Sequence, residues 1–341
     1  MSFERVSQKD IAAKAGVHIT TVSLALRDSP RLPLETRLRI RQLAEDMGYS
    51  PDPMLSALTA YRKSAKVSRY QGTLAWLHTI PRSEPDNLEY KEGAQSRCAE
   101  LGYVLEEFHV ADMSLPRISR VLRARNITGI FLPPQPGRLA HINFDWQNFS
   151  AISFGYSLAR PRLHVVTNAQ YRSVHIAIRA IRARGYRRIG FATVQATDVR
   201  TDRNFSSGYL AEQRRYNEKY SIPMFIYDDA ADTRRKNFVK EFGAWYEAHK
   251  PDAILSLDGE ISGALRELGI HPETCGHASL MTSPKGDLAG VYQNGPMIGR
   301  TAVDFLVGMI HRNERGIPAV PLYILVDSTW RDAPSLPDKR R

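Results

Sequence analysis

The 341-residue chain contains few cysteines and no long apolar segment. Cys98 and Cys275 are its only two cysteines and lie far apart, so we expect neither a disulfide framework nor a CxxC zinc site. No run of about 18 apolar residues occurs, and the first residues, MSFERVSQKD, lack the apolar core of a signal peptide. We therefore expect a cytoplasmic protein that does not associate with a membrane.

The sequence motifs of common catalytic sites are also absent. Neither GxSxG, HExxH, GxxxxGK[ST] nor GxGxxG occurs, and His164, His175 and His271 have no partners at a recognisable spacing. We therefore expect a protein that is not an enzyme, with no catalytic residue, no metal site and no cofactor.

Basic residues outnumber acidic ones along the whole chain. There are 47 Lys and Arg against 36 Asp and Glu, a net charge of +11. Residues 1–70 contain 12 of the basic and 7 of the acidic residues, so the excess is not a terminal basic tail. An excess of this sign suits a polyanionic partner such as nucleic acid, but charge alone does not decide between partners.

The chain divides into a helical N-terminal part and a longer alternating part. Three helical patterns occupy residues 6–48, and the prolines at 51 and 53 precede a short helical stretch, MLSALTAY. From residue 73, apolar runs alternate with helical patterns. The alternation is too long for one small sheet, so it predicts two doubly wound α/β subdomains whose ligands bind beyond the carboxyl ends of the strands.

Each of the alternating segments can be assigned from its pattern. The strand candidates are GTLAWLH, YVLEEFHV, GIFLPP, SAISFG, RRIGFAT, MFIYD, DAILSLD and LYILVD. The helix candidates are residues 89–101, 114–125, 171–184, 206–220, 235–249, 260–268 and 296–312.

The first two helices have the spacing of a helix-turn-helix. Ala12 is small where two helices must approach, Gly16 suits a left-handed turn, and Val17 and Val22 fill the angle between the helices. A plain three-helix bundle is the alternative for this stretch alone. The third helix is expected to use Leu38, Leu43, Ala44 and Met47 as its apolar face.

A longer context favours the helix-turn-helix. VSQKDIAAKAGVHITTVSLALRD, followed by PLETRLRIRQLAEDMGYSPD, closely resembles the head of the lactose-repressor (LacI/GalR) family of bacterial transcription regulators. The rest of the chain fits more loosely, with GYRRIGF, RELG and YQN…IG…AVDFL in the family's order. The resemblance implies a homodimer with an effector domain that resembles periplasmic binding proteins.

The resemblance also implies a division of the chain. We expect a DNA-binding domain at 1–50, a hinge helix and linker at 51–70, and an effector-binding and dimerisation domain at 71–335. Within the last, the N-subdomain is expected at about 71–165 and 293–318, and the C-subdomain at about 166–292 and 319–332.

Family position assigns roles in DNA binding to particular residues. Ile19, Thr20 and Leu24 correspond to the base-facing residues of the recognition helix, and Leu58 corresponds to a hinge leucine that is wedged into the minor groove. The remaining candidates are His18, Thr21, Ser23 and Arg27 around the recognition helix, and Ser56 and Thr59 in the hinge.

Two of these positions depart from the usual residues of the family. Leu24 replaces an arginine that reads guanine; leucine donates no hydrogen bond but can contact a thymine methyl, so we predict an A·T pair in the half-site. His18 replaces a serine N-cap, which predicts a recognition helix whose start is weaker by roughly 1 kcal/mol. Pro53 and Met54 also make the hinge unusual.

A sugar-type pocket needs aromatic faces and polar groups. Trp76, Tyr90, Tyr209 and Trp245 offer faces. Family position favours Asp258 and Gln293 as polar groups, followed by Arg203. The predicted effector-binding residues are Trp76, Tyr90, Arg203, Trp245, Asp258 and Gln293.

The resemblance weakens within this pocket. Phe205 stands where the family has its pocket arginine, Ala169 stands where an aspartate is common, and ASLMT (278–282) replaces an acidic loop. These changes leave three alternatives: a less hydroxylated ligand, an anionic ligand, or no ligand. We predict a dimeric repressor of double-stranded operator DNA, controlled by a small molecule that is expected to be a sugar or sugar derivative. The alternatives are an orphan regulator without an effector and a ligand-binding protein with a degenerate head.

Overall fold

A computed structural model describes most of the chain. The residues described are 6–26, 29–47, 49, 70–79, 88–135, 139–216, 221–228, 234–257 and 259–340.

The head consists of three helices: α1 (Gln8–Ala15), α2 (Ile19–Leu26) and α3 (Leu34–Asp46). Ser7 and Asp10 form a capping box, in which the Asp10 N–H donates to the Ser7 side chain and the Asp10 carboxylate accepts from the Ser7 backbone. Gly16 ends α1 in the left-handed conformation, with φ of 66°. The turn predicted at this glycine is confirmed.

The three helices enclose a small apolar core. Ile11, Ala12, Val22, Ala25, Ile40 and Ala44 are buried there, with Val17, Leu43 and Met47 packed at its edge. The prediction for Leu38 was wrong. Its side chain is 56% exposed, whereas Ile40, two residues later, is fully buried. Two residues correspond to about 200° of helix rotation, so one of these two apolar positions must face outward.

The first α/β unit is a six-stranded parallel sheet. Its spatial order is β13-β7-β5-β3-β1-β2. Helices α4 (Leu88–Leu101) and α11 (Gly295–Arg312) cover one face, and α5 (Leu115–Ala124) covers the other. The strands are β1 (Gly72–His78), β2 (Tyr103–His109), β3 (Gly129–Leu132), β5 (Ser150–Phe154), β7 (His164–Asn168) and β13 (Tyr323–Val326).

The second unit is also six-stranded, with one antiparallel edge. Its order is β14-β12-β11-β10-β8-β9, and only β14 runs against its neighbour. Helices α6 (Gln170–Ala183) and α8 (Asn204–Tyr216) cover one face, and α9 (Arg234–His249) and α10 (Gly259–Glu267) cover the other. The strands are β8 (Ile189–Val194), β9 (Phe225–Tyr227), β10 (Ala253–Ser256), β11 (Gly276–Ser279), β12 (Ala289–Tyr292) and β14 (Thr329–Arg331).

Three smaller elements complete the two units. A short helix, α7 (Gln195–Arg200), follows β8, and β4 (Ala140–His141) pairs with β6 (Leu158–Arg160) as a separate two-stranded ribbon. A single 3-10 turn covers Trp146–Asn148.

The chain passes between the two sheets three times. The crossings follow β7, β12 and β13. We had expected residues 319–332 to lie wholly in the second subdomain, but β13 pairs with β7 in the first sheet and only β14 pairs in the second. Strand pairing therefore splits this segment between the subdomains.

Among the described helices, none combines the length and the apolar character needed to span a bilayer.

Candidate DNA-reading helix and effector cleft

Helix α2 buries one side and presents the other to solvent. Val22 and Ala25 are buried against α1 and α3, and the Nε of Arg41 on α3 donates to the Ala25 carbonyl at 3.2 Å. The start of the helix faces outward: Thr20 is exposed and Ile19 is 41% exposed. Leu24 lies one turn beyond Thr20 and is half-buried. The predicted base-facing residues therefore lie on the open side of a helix that the core holds in place.

His18 caps α2 with its own ring. The backbone N–H of Thr20 donates to Nδ1 of His18 at 3.3 Å, and the Thr20 hydroxyl also contacts this nitrogen. The helix start that we expected to be weakened thus has a side-chain acceptor for one of its free N–H groups. The histidine therefore caps the helix in place of the serine. In doing so, its ring also contacts the Thr20 hydroxyl.

The other DNA-binding candidates can be placed only in part. Thr21 and Ser23 are half-buried on α2. Arg27 and the hinge candidates Ser56, Leu58 and Thr59 lie outside the described residues.

A cleft of about 490 Å³ opens between the two α/β units. Both sheets point the carboxyl ends of parallel strands towards it, because its lining residues follow β3, β5, β7, β8, β11 and β12. This is the position at which open α/β sheets bind ligands. The lining consists of Tyr90, Pro134, Gly155, Tyr156, Ser157, Thr167, Asn168, Gln170, Thr197, Arg200, Thr201, Phe205, Met281 and Gln293.

Two of the predicted effector residues lie in this cleft. Tyr90 projects from α4, and Gln293 follows β12, where its Nε2 donates to the Leu280 carbonyl at 2.9 Å. Burial raises the pKa of Tyr90 to about 12, Glu89 adds to the rise, and the charge of Arg200 opposes it. Tyr90 is therefore a neutral hydroxyl at physiological pH.

Three other predicted residues lie elsewhere. Trp76 is fully buried in the first unit, packed against Phe131 and Phe154. Trp245 packs on the outer layer of the second unit, and its indole N–H donates to the Pro223 carbonyl at 2.8 Å.

The side chain of Arg203 is 65% exposed, 4.0 Å from the Asp198 carboxylate, and does not line the cleft. Tyr209, which we also considered as an aromatic face, is buried and donates to the Ile189 carbonyl. Asp258 lies outside the described residues.

Sequence reasoning missed the cation of the cleft. Phe205 occupies the place of the family's pocket arginine and lines the cleft, while Arg200 at the end of α7 supplies a guanidinium instead. The signal was present in VQATDVR, where a run after a buried strand ends in arginine. Ala169 is the N-cap of α6 and offers no side-chain hydrogen bond, and Met281 of the ASLMT loop lines the cleft.

One cluster with metal-binding side chains occurs among the described residues. His78, Glu107 and His109 place ligand atoms within 4.8 Å of one another. The Glu107 carboxylate is hydrogen-bonded to His78 at 2.8 Å and to Lys91 at 3.2 Å, and the two imidazole rings stack in parallel at 4.0 Å. Because parallel rings do not aim their nitrogens at one point, this arrangement is a hydrogen-bonded network rather than a preformed metal centre.

The head and the whole fold were compared with known proteins. Residues 7–52 match the family model of bacterial regulatory proteins of the lacI family. The head is therefore similar to the DNA-binding heads of these regulators, and the two sheets have a periplasmic-binding-protein-like fold, as the sequence predicted. The family match thus covers the head, and the two α/β units share the fold of solved regulators of this kind.

Solved structures of similar proteins extend the likeness over nearly the whole chain. The Lac repressor dimer bound to operator and the anti-inducer ONPF has 16% identity and a TM-score of 0.56, covering 98% of this chain and 100% of that one. The transcriptional regulator CelR in its cellobiose complex has 16% identity and a TM-score of 0.53, covering 97% and 100%. A LacI transcriptional regulator from a Rhodococcus species has 12% identity and a TM-score of 0.58, covering 78% and 98%. At these identities the likeness shows the fold.

Proposed function

We propose that this regulator is a homodimeric, cytoplasmic repressor whose affinity for an operator is controlled by a small molecule in the cleft. The observation that carries the proposal is the side of α2 that faces away from the buried core of the head, where Ile19 and Thr20 are exposed and Leu24 is half-buried. A helix presented in this way fits the major groove.

The domain division predicted above is part of the proposal. Residues 1–50 bind the major groove, and residues 51–70 link the head to the effector domain at 71–335. Ser56, Leu58 and Thr59 of the linker are proposed to enter the minor groove, where an apolar wedge bends DNA at a cost of a few kcal/mol per unstacked step. The dimer is proposed by similarity to the Lac repressor, which binds its operator as a dimer.

The cleft is proposed to hold a carbohydrate or carbohydrate derivative. CelR, which shares the fold, was solved in complex with cellobiose, and the cleft here lies where open α/β sheets bind ligands. Tyr90, Tyr156 and Phe205 supply aromatic surface, and hydroxyl and amide side chains line the remainder. That combination suits a ring whose edges carry hydroxyl groups.

Base reading by α2 is proposed to rest on apolar contacts. Leu24 projects from the same side of the helix as Thr20, one turn on, and its side chain can meet a thymine methyl. Because it donates no hydrogen bond, it cannot select guanine. We therefore expect an A·T pair at the half-site position that Leu24 faces.

Replacing Leu24 with arginine tests this assignment. Selection of binding sites from random DNA should return an A·T pair with the wild-type protein and with Leu24→Met, which keeps an apolar side chain. The Leu24→Arg variant should return guanine at that position, since an arginine pair with guanine discriminates by about 1–3 kcal/mol. An unchanged preference in Leu24→Arg would refute the role of this residue, and failure to enrich any site with the wild-type protein would refute the proposed function.

A further inference from the structure

We propose that the ligand of the cleft carries an acidic group, a carboxylate or a phosphate, on a hydroxylated frame, with Arg200 as its counter-ion and Gln170 as a hydrogen-bond acceptor. This inference rests on the proposed function, because it names the class of ligand that the cleft takes.

Arg200 brings a positive charge into the cleft without a partner of its own. It is half-buried at the carboxyl end of α7, and it makes no hydrogen bond or ion pair with any residue that the structure describes. Its charge acts on the hydroxyl of Tyr90 across the cleft, but Tyr90 is neutral and cannot compensate it. A partly desolvated guanidinium is stabilised by an anion placed beside it.

The described lining offers no anion for this purpose. It contains amides, hydroxyls, aromatic rings and Met281, and within the described part of the chain Arg200 is the single charged residue of the lining. Asp198 and Glu89 lie close in sequence to the two sides of the cleft, but neither side chain belongs to its lining. Since no described side chain of the lining supplies a negative charge to Arg200, we assign that charge to the ligand.

Helix α6 adds to the positive potential. Its first residue, Gln170, lines the cleft, and its N-cap residue, Ala169, has no side-chain acceptor for the free N–H groups of the first turn. When no capping carboxylate or hydroxyl accepts from these N–H groups, the helix N-terminus favours a negatively charged group nearby. The loss of the aspartate that relatives commonly have at Ala169 thus removes a competitor for an anionic ligand.

Gln170 indicates the second half of the ligand's chemistry. Its side chain is buried, with 7% exposed, and its Oε1 has no hydrogen-bond partner among the described residues. A buried carbonyl oxygen without a partner costs free energy that a ligand hydroxyl would recover by donating to it. An acid that also carries hydroxyl groups satisfies Arg200 and Gln170 together.

Calorimetric titration of the full-length protein with matched pairs of sugars tests the inference. Each pair consists of a neutral hexose or pentose and its uronic acid, aldonic acid or terminal phosphate ester, and inorganic phosphate serves as an anion without a frame. At least one acid should bind tenfold or more tightly than its neutral partner. Carboxylate and phosphate members of the panel separate the two sources of charge.

Three variants connect the preference to Arg200. Arg200→Gln should lose the tenfold preference, and Arg200→Lys should keep part of it because the charge remains. Arg214→Gln, which removes the same charge from an exposed position on α8, should behave like the wild type. Thermal melting of all three shows that they are folded.

Several outcomes would overturn the inference. These are neutral sugars that bind as tightly as their acids, an acid preference that survives in Arg200→Gln, and the absence of binding by every acid in the panel. A neutral sugar that binds the cleft and changes operator affinity would leave the proposed function intact. If the wild-type protein showed no sequence-specific DNA binding, the proposed function would be refuted. The inference about an acidic ligand would stand, since acid binding is measured without DNA.

Discussion

His18 stands immediately before α2, and its ring contacts the backbone and the side chain of Thr20. The imidazole Nδ1 accepts from the Thr20 N–H at 3.3 Å and also contacts the Thr20 hydroxyl. The Thr20 hydroxyl, which we propose to face a base, is thus also engaged by the cap. Serine at the same place would cap the helix with a smaller group.

Removing the cap should loosen the start of α2. In His18→Ala the Thr20 N–H loses its side-chain acceptor, and the helix should be destabilised by about 0.5–2 kcal/mol. His18→Ser supplies a hydroxyl acceptor and should stay close to the wild type. Hydrogen exchange of the amides of residues 19–22 in the full-length protein measures the difference. Equal exchange rates in His18→Ala and the wild type would show that the contact with Nδ1 contributes nothing.

Individual pocket residues were harder to predict than the reading helix. In the head, an unbroken match of motifs fixes the register, so positions such as Gly16 and Val22 follow from the sequence. In the cleft, lining depends on how far each loop extends beyond its strand. Arg200 lines the cleft because a short helix follows β8, whereas Arg203, three residues later, points to solvent. No periodic pattern in the sequence carries that information.

Two helices of the first unit approach each other through glycine. A Cβ atom at Gly299 on α11 would lie 2.0 Å from the Tyr90 carbonyl oxygen, and one at Gly93 on α4 would lie 2.1 Å from the Pro296 carbonyl oxygen. Such distances are far shorter than van der Waals contact, so the backbones of α4 and α11 touch only because side chains are absent. This contact also sets the position of Tyr90 in the cleft.

Alanine at Gly299 should therefore force the two helices apart. We expect Gly299→Ala to lower the free energy of unfolding by about 1–3 kcal/mol, the usual cost of overpacking. Gly308→Ala is the matched control on the same helix, because the nearest atom to its Cβ is the end of the Arg312 side chain at 3.0 Å. It should be neutral or stabilising by up to about 1 kcal/mol, since alanine favours helix. Denaturant unfolding measures both, and equal effects of the two substitutions would contradict the close approach.

At the scale of elements, the sequence predicted long patterns better than short ones. The helix candidate at 89–101 corresponds to Leu88–Leu101, and GTLAWLH is β1. Strands β11 and β12, GHAS and AGVY, were missed because they are rich in small residues. The five-residue strand β7, HVVTN, was also missed. Strands β11 and β12 are nevertheless well buried, since their place in the sheet is decided by neighbours distant in sequence.

The two units of the molecule are joined where three chain segments cross side by side. The Ser173 hydroxyl hydrogen-bonds to the Ser328 hydroxyl at 2.8 Å, and the Asn294 amide donates to the Asp327 carbonyl at 2.8 Å. Asn294 also has a positive φ of 58°, which asparagine tolerates better than most residues. The crossings lie next to the cleft. A change in the angle between the units would therefore change the contacts that the cleft makes with a ligand.

The sequence could not show how the last crossing divides its strands. β13 and β14 are separated by two residues, yet β13 joins the first sheet and β14 joins the second. The pattern of LYILVD predicts β13 as a strand, but the three residues of β14 were not predicted, and local pattern does not say which sheet a strand extends. Only the pairing of Tyr323–Val326 with β7 decides it.

Coupling between the cleft and the head is the property that the whole molecule should show. If DNA and ligand favour different arrangements of the two units, each must weaken the binding of the other by the same factor, because the coupling free energy is shared. Allosteric coupling typically changes an affinity by a factor of about 5–150, and we expect a factor in this range. The factor is measured twice, from operator affinity with saturating ligand and from ligand affinity with saturating operator. The ligand is the tightest binder found by calorimetry, and Arg200→Gln should abolish both effects at the same ligand concentration. A ligand that fills the cleft of the wild type and leaves operator affinity unchanged would show that the cleft does not control DNA binding.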